Sequence, residues 1–483
     1  MEFRFVDNNG PIDRRSRKAI RSHAMKGKNM GKAIQGRGHK GLRKLEKSYD
    51  ASSSSSSIGC VEKTNAVLIE TSVTQIEQSI RNELDIVARA EICPTYNPFS
   101  PFAGAEYDYF DFPCQLTSSM RYLIHQFHSA VSFKLYPHEF CRPPVKEKFF
   151  QHMLMDQTLF HCTLAMSASY VTHFRGYHDE SLEIRRHFTE TLRLVNKDIS
   201  ASAVPRETTI VVVVSLAIQA NMTGAMSNSR IHINGLKHIM DLWPGGLPML
   251  YHTNPELMQK ICRADNEYAL LGGTRTQFGP ILRSLQTSLL APLHRIGKPP
   301  ALPYPLGKLC EQLQSITSDV LAFCKCAGKI KLEPREFQGI IVSICQRLLD
   351  FAPLDGARPL DPLNDIWHLG LLNFMTTLLY YLGRLRPLYT GLLYTTFERS
   401  LTKYSYTQTE SDQSLILWLY FVHGFSLLDG SNGSWLIPKL QTLIGDLGLK
   451  NWNDAKQNFE TFPWIEIGHD ALGKKIWKVV MAT

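Results

Sequence analysis

The first 59 residues contain no cysteine, and the first fifty are poor in acid, with five Asp and Glu against fourteen Lys and Arg. The rest of the chain balances at thirty-nine of each sign, so the whole of the net charge of +9 sits in the head. A head without cysteine excludes thiolate metal binding there. No apolar run is long enough to span a bilayer. IVVVVSLAIQA from Ile210 and LILWLYFVHGFSLL from Leu415 have eleven and fourteen residues, against the roughly eighteen that a span requires, and both read as buried elements. No apolar segment follows the initial charges, so secretory targeting is not expected. The ten cysteines are scattered, which fits reduced thiols inside the cell rather than disulfides. The sequons at Asn221 and Asn432 therefore carry no weight.

Catalytic signatures are also missing. There is no G-x-S-x-G elbow, no Walker loop, no H-E-x-x-H and no close pair of carboxylates suited to acid–base work. Gly36, Gly38 and Gly41 satisfy G-x-G-x-x-G, but GKAIQ precedes them and a serine tract follows. A dinucleotide fingerprint needs a buried strand before it and a helix after it, so the match is rejected. Cys324 and Cys326 form a single C-x-C without a second pair of ligands, and His125 and His128 are an isolated pair. No metal, no cofactor and no catalytic residue is expected, although a constellation assembled from distant residues would leave no local trace.

What is present begins with the basic head. Arg14, Arg15, Arg17 and Lys18 form a compact cluster, followed by Arg21, Lys26, Lys28 and Lys32, and Ser52 to Ser57 are six consecutive serines. Residues 1–64 hold too few apolar groups to offset the entropy of folding, so a disordered head is expected. Such a cluster suits a nuclear import receptor, DNA phosphates or plain solvation. Eight phosphate contacts would give a slope of log affinity against log salt of about −7, with no base readout.

Beyond the head, helical spacing dominates. Val73, Ile76, Ile80, Leu84 and Val87 mark an amphipathic helix within 65–92, either docked on the core or pairing with another regulator as a short coiled coil. Residues 93–115 carry four prolines and many aromatics and read as an extended strap. Ile184, Phe188, Leu192, Val195 and Ile199 give one apolar face of a helix that ends before Pro205. SRIHINGLKHIMDLWPGGL reads as a helix with Leu236, Ile239, Met240 and Trp243 on one side, stopped by Pro244, Gly245 and Gly246; His232 shares that face and reads as a packing histidine. A Pro- and Gly-rich stretch at 272–305 is the candidate joint between two helical halves, and helical patterns resume with LCEQLQSITSDVLAFC, FQGIIVSICQRLLDF and WHLGLLNFMTTLLYYLGRL. The fold class expected is all-α: a body of packed antiparallel helices over 116–483.

At His232, Gly235, Leu236, Ile239, Gly245 and Gly246 the chain resembles the central helix of the fungal-specific transcription factor domain, which ends in a Gly-Gly turn. FHCTLAMSASYVTHFRG and IRRHFTETLRLVNKDI are similar to helices of the same family, and the resemblance covers roughly 120–430. In the head, FRFVD followed by Ile20, Arg21, Ser22, His23, Met25 and Lys26 is similar to the start of fungal regulators of this kind. Members that read DNA carry a six-cysteine zinc cluster near the N-terminus, and the cysteine-free head departs from that pattern.

The resemblance implies a nuclear transcription regulator whose helical body receives a signal or partner. Its basic head would supply import and non-specific DNA contact, and dimerisation with the same or another regulator is expected. A second reading is an interaction partner of a zinc-cluster factor that does not touch DNA, and a third is an enzyme with an unrecognised pocket. No membrane association is expected.

Overall fold

The computed structural model describes residues 110–482, apart from 132–139, 143–146, 176–181, 202–203, 297–300, 382–390, 405–408 and 426–434. The basic head, the helix expected within 65–92 and most of the 93–115 strap lie outside the described residues. Those residues form seventeen α-helices and no strand. One isolated parallel bridge joins Cys141 to Leu332. No helix among them is long and apolar enough to cross a membrane.

The first group is α1 (Ser118–Gln126), α2 (Glu147–Met155), α3 (Gln157–Arg175), α4 (Leu182–Ala201), α5 (Glu207–Met222) and α6 (Met226–Leu242). α1 starts where the Thr117 hydroxyl accepts from the Met120 N–H at 3.1 Å, relieving one unpaired donor of the first turn. α5 contains the run Ile210–Val214, whose β-branched side chains favour strands. It is nevertheless helical, with Ile210, Val212, Val213, Val214 and Leu216 all buried. Burial stabilises by about 1.5–3 kcal/mol per side chain, against roughly 0.5 kcal/mol per residue of propensity, so packing wins.

α7 (Gly246–Thr253), α8 (Pro255–Gly272) and α9 (Gly279–Ile296) follow. α8 begins at Asn254, whose side chain accepts from the Leu257 N–H at 3.1 Å, with Pro255 in its first turn. Residues 272–305, read as a joint, include the eighteen-residue α9. The face of α9 is shared between two cores: Leu289 belongs to one, and Leu290 and Leu293 to the other.

The first core is built by α3 to α9 around Leu216, Ile233, Leu236, Leu247, Ile261 and Phe278. The second is built by α10 (Glu311–Cys326), α11 (Pro334–Phe351), α12 (Pro362–Tyr381), α13 (Gly391–Lys403), α14 (Glu410–Gly424), α15 (Leu436–Asp446), α16 (Trp452–Asn458) and α17 (Glu466–Ala482). Its centre is aromatic: the Trp367 and Trp418 rings lie 4.8 Å apart. Both indole N–H groups are satisfied, Trp367 donating to Thr317 Oγ1 and Trp418 to the Pro463 carbonyl, each at 2.8 Å. A smaller cluster under α1 holds Leu123, Ile124, Met153, Phe160 and Leu164.

Candidate functional site

α6 lies against α5 and α8, with Ile233, Leu236, Ile239 and Met240 buried. His232 is half-buried, and burial pushes its imidazole below the ordinary histidine value, which favours the neutral form. Gly235 sits on the helix flank with no atom within 4 Å of the place a Cβ would occupy. The helix ends at Trp243, and the chain turns through Pro244, Gly245 and Gly246 into α7. Gly245 has φ +72° and Gly246 φ +58°, the left-handed region that L side chains rarely enter. The Gly246 N–H closes this turn on the Trp243 carbonyl at 2.8 Å.

Beneath α6 runs a buried polar seam. Asn221 at the end of α5 donates from Nδ2 to the Ala264 carbonyl of α8 at 3.0 Å and accepts from the Ser229 hydroxyl of α6. One side chain thus ties three helices together. Next to it on α8, Asp265 is fully buried and accepts from the Phe278 N–H at 2.9 Å, while its Oδ1 has no partner. Burial raises its pKa to about 7, helped by the nearby Asp350 carboxylate and opposed by the backbone donors of Phe278 and Gln277. Asn266 donates to the Val342 carbonyl at 2.9 Å and Gln259 to the Arg335 carbonyl at 2.7 Å, so α8 is pinned to α11. On the α3–α4 side, His161 and His187 face each other through their Nδ1 atoms at 2.9 Å, a bond that needs one proton between two rings.

A cleft of about 230 Å³ opens between α9, α10 and α11, lined by Arg283, Gln286, Gln312, Ser315, Gln346, Arg347 and Asp350. Its charges are largely turned on each other. Arg347 pairs with the buried Asp319 and donates to Ser315 Oγ at 2.8 Å. Asp350 accepts from Thr276 Oγ1 at 2.9 Å and from Gln346, with Arg283 3.9 Å away. The cleft therefore offers mixed donors and acceptors around a satisfied ionic network.

Four thiols are held by burial in the protonated, poorly nucleophilic form. The eight cysteines among the described residues are free. Burial pushes Cys162 to about 12 and moves Cys262, Cys324 and Cys345 well above the ordinary thiol value. Among the described residues no group of three or more His, Cys, Asp or Glu could hold a metal ion.

Of the residues singled out from the sequence, His232, Gly235, Leu236, Gly245 and Gly246 come together on α6 and its C-terminal turn. The head residues Arg14, Arg15, Arg17, Lys18, Ile20, Arg21, Ser22, His23, Met25, Lys26, Lys28 and Lys32 lie outside the described residues. Asn221, Asp265 and Arg347 belong to no motif. The available signal for Asp265 is its place on the stripe Leu257, Met258, Ile261, Cys262, Ala269, where helical spacing assigns a core position to a carboxylate.

The segment that carries α1 to α8 is similar to a known family. Residues 121–271 match the fungal specific transcription factor domain. The match covers nearly all of α1 through α8, and the seam of Asn221, Ser229, Ala264 and Asp265 lies wholly inside it. No curated protein and no solved structure matches the chain. The family points to a role in regulating transcription and to a regulator in place of a catalyst. The helices beyond residue 271 pack an aromatic core that takes in Ala269 and Leu270 of α8 and Leu290 and Leu293 of α9.

Proposed function

We propose that the chain is a nuclear transcription regulator of the fungal type, in which the helical body receives a signal or partner and the basic head mediates import and sequence-independent contact with DNA. The observation that carries this reading is the fungal specific transcription factor domain at 121–271 in a chain whose entire net charge lies in its first fifty residues. The clustered Lys and Arg of the head support attraction to phosphate, a contact that carries no base readout.

Two measurements test it. Residues 1–50 fused to a fluorescent reporter should accumulate in nuclei, and exclusion of the fusion from nuclei removes the import role. For DNA contact, the purified full chain should shift two unrelated duplexes equally, with affinity falling about 10⁴-fold between about 50 and 200 mM salt if eight phosphates are contacted. A second reading is a regulator that acts through a zinc-cluster partner without touching DNA. It predicts no shift at about 50 mM salt.

A further inference from the structure

Three helices turn a polar stripe toward the same opening. α9 supplies Arg283 and Gln286, one turn apart, α10 supplies Gln312 and Ser315, and α11 supplies Gln346 and Asp350. All of them lie beyond the segment matched to the family. The opening of about 230 Å³ is, at roughly 30 Å³ per water, the space of about eight waters, which suits a molecule of about eight to ten non-hydrogen atoms.

The floor of the cleft is committed and its rim is not. Gln346 is 2% exposed and donates to Asp350, whose carboxylate also accepts from Thr276 Oγ1 at 2.9 Å. Arg347 is engaged by Asp319 and Ser315. At the rim, the Arg283 side chain is 69% exposed, and its carboxylate neighbour Asp350 lies 3.9 Å away, beyond the about 2.7–2.9 Å of a charge-assisted hydrogen bond. The amides of Gln286 and Gln312 make no hydrogen bond among the described residues. A carboxylate has about four lone-pair sites, so Asp350 can take a further donor. A simple anion would gain Arg283 but meet Asp350, and a simple cation would meet the reverse. A molecule that carries both charges on adjacent groups satisfies both. Beside them, each glutamine amide offers a donor and an acceptor, which a second amide matches reciprocally, whereas an apolar group would desolvate them without return.

We infer that this cleft binds a free α-amino acid with a side-chain amide, its carboxylate on Arg283, its ammonium donating to Asp350 and its amide against Gln286 and Gln312. The inference rests on the reading of the helical body as the receiver of a signal, and gives that signal a chemical class. A ligand of about ten non-hydrogen atoms has a modest affinity, with a dissociation constant between about 10 μM and 1 mM.

Isothermal titration calorimetry of the full chain with L-glutamine and L-asparagine tests this. Three analogues each remove one feature: N-acetyl-L-glutamine lacks the ammonium, L-glutamine amide lacks the carboxylate, and L-leucine lacks the side-chain amide. The expected result is one molecule of glutamine or asparagine bound per chain, with every analogue at least tenfold weaker. Arg283→Gln should weaken binding at least tenfold, while Arg295→Gln, which removes another exposed cation of α9, should leave it unchanged. Both arginines are exposed, and circular dichroism confirms that the variants fold. The inference is overturned by the absence of saturable heat with either amino acid up to about 10 mM, by binding indifferent to Arg283→Gln, or by an analogue that binds as tightly as glutamine. Calorimetry involves neither nuclei nor DNA, so such a result removes this site alone, and the reporter and salt-dependent shift assays decide the regulator reading separately.

Discussion

Replacing Asp265 with Asn should change how stability depends on pH, because this carboxyl is buried on α8 against the Phe278 N–H with one oxygen unpartnered. Its pKa in the folded chain is pushed up by burial to about 7, well above the ordinary aspartate value. A raised folded pKa means that the folded state holds the proton more tightly. The contribution is therefore fully present below about pH 4 and is lost as pH rises through 7. At about 1.4 kcal/mol per pH unit over roughly three units, ionising Asp265 removes about 4 kcal/mol of stability by pH 8. Asparagine keeps an oxygen for the Phe278 N–H and never ionises, at the expense of an unpaired amide donor, worth about 1–3 kcal/mol at every pH. The two proteins should thus diverge with pH. Urea unfolding of wild type and Asp265→Asn at pH 5, 6, 7 and 8 should show their difference shifting in favour of the variant by about 1.4 kcal/mol per unit between pH 5 and 7, then levelling. A difference that stays constant across this range would refute the assignment of a protonated, buried Asp265.

Three other outcomes are expected. Asn221→Ala removes the tie among α5, α6 and α8 and strands the Ala264 carbonyl and Ser229 hydroxyl, lowering unfolding free energy by about 2–3 kcal/mol in denaturant titration. Gly245→Ala should lower stability by more than the roughly 1–2 kcal/mol that left-handed backbone alone implies, because its Cβ would lie 2.7 Å from Met249 Cβ; Gly224→Ala, at φ +69° with nothing near, isolates the backbone part in the same thermal melt. Arg347→Met leaves Asp319 buried without its guanidinium and should destabilise by about 3 kcal/mol, whereas adding Asp319→Leu should restore part of the loss in a double-mutant cycle.

Much of the helical layout was legible as spacing. The stripe Phe188, Leu192, Val195 announces α4, and SRIHINGLKHIMDLW followed by Pro-Gly-Gly announces both α6 and its stop, since helical period and turn chemistry act over a few residues. The run at Ile210–Val214 was legible only as buried. Its residue types favour a strand, and the helix exists because its neighbours bury Ile210, Val212, Val213, Val214 and Leu216. The 272–305 stretch, read as a joint from its prolines and glycines, holds α9 over 279–296, with Leu289 and Leu290 in different cores.

By itself, the amino-acid sequence determined the placing of charge, the absence of a cysteine ligand set in the head and the periodicity that makes the body all-α. These are local or additive properties, set by composition and by neighbours three and four residues away. Only the tertiary structure decided that Asn221 reaches Ala264, that Asp265 is shut from water beside Asp350, that Arg347 meets Asp319 across 28 residues, and that one side of α6 faces solvent. Each of these depends on which helix lies against which. Burial, pairing and pKa are properties of that packing, and no single segment of the chain contains them.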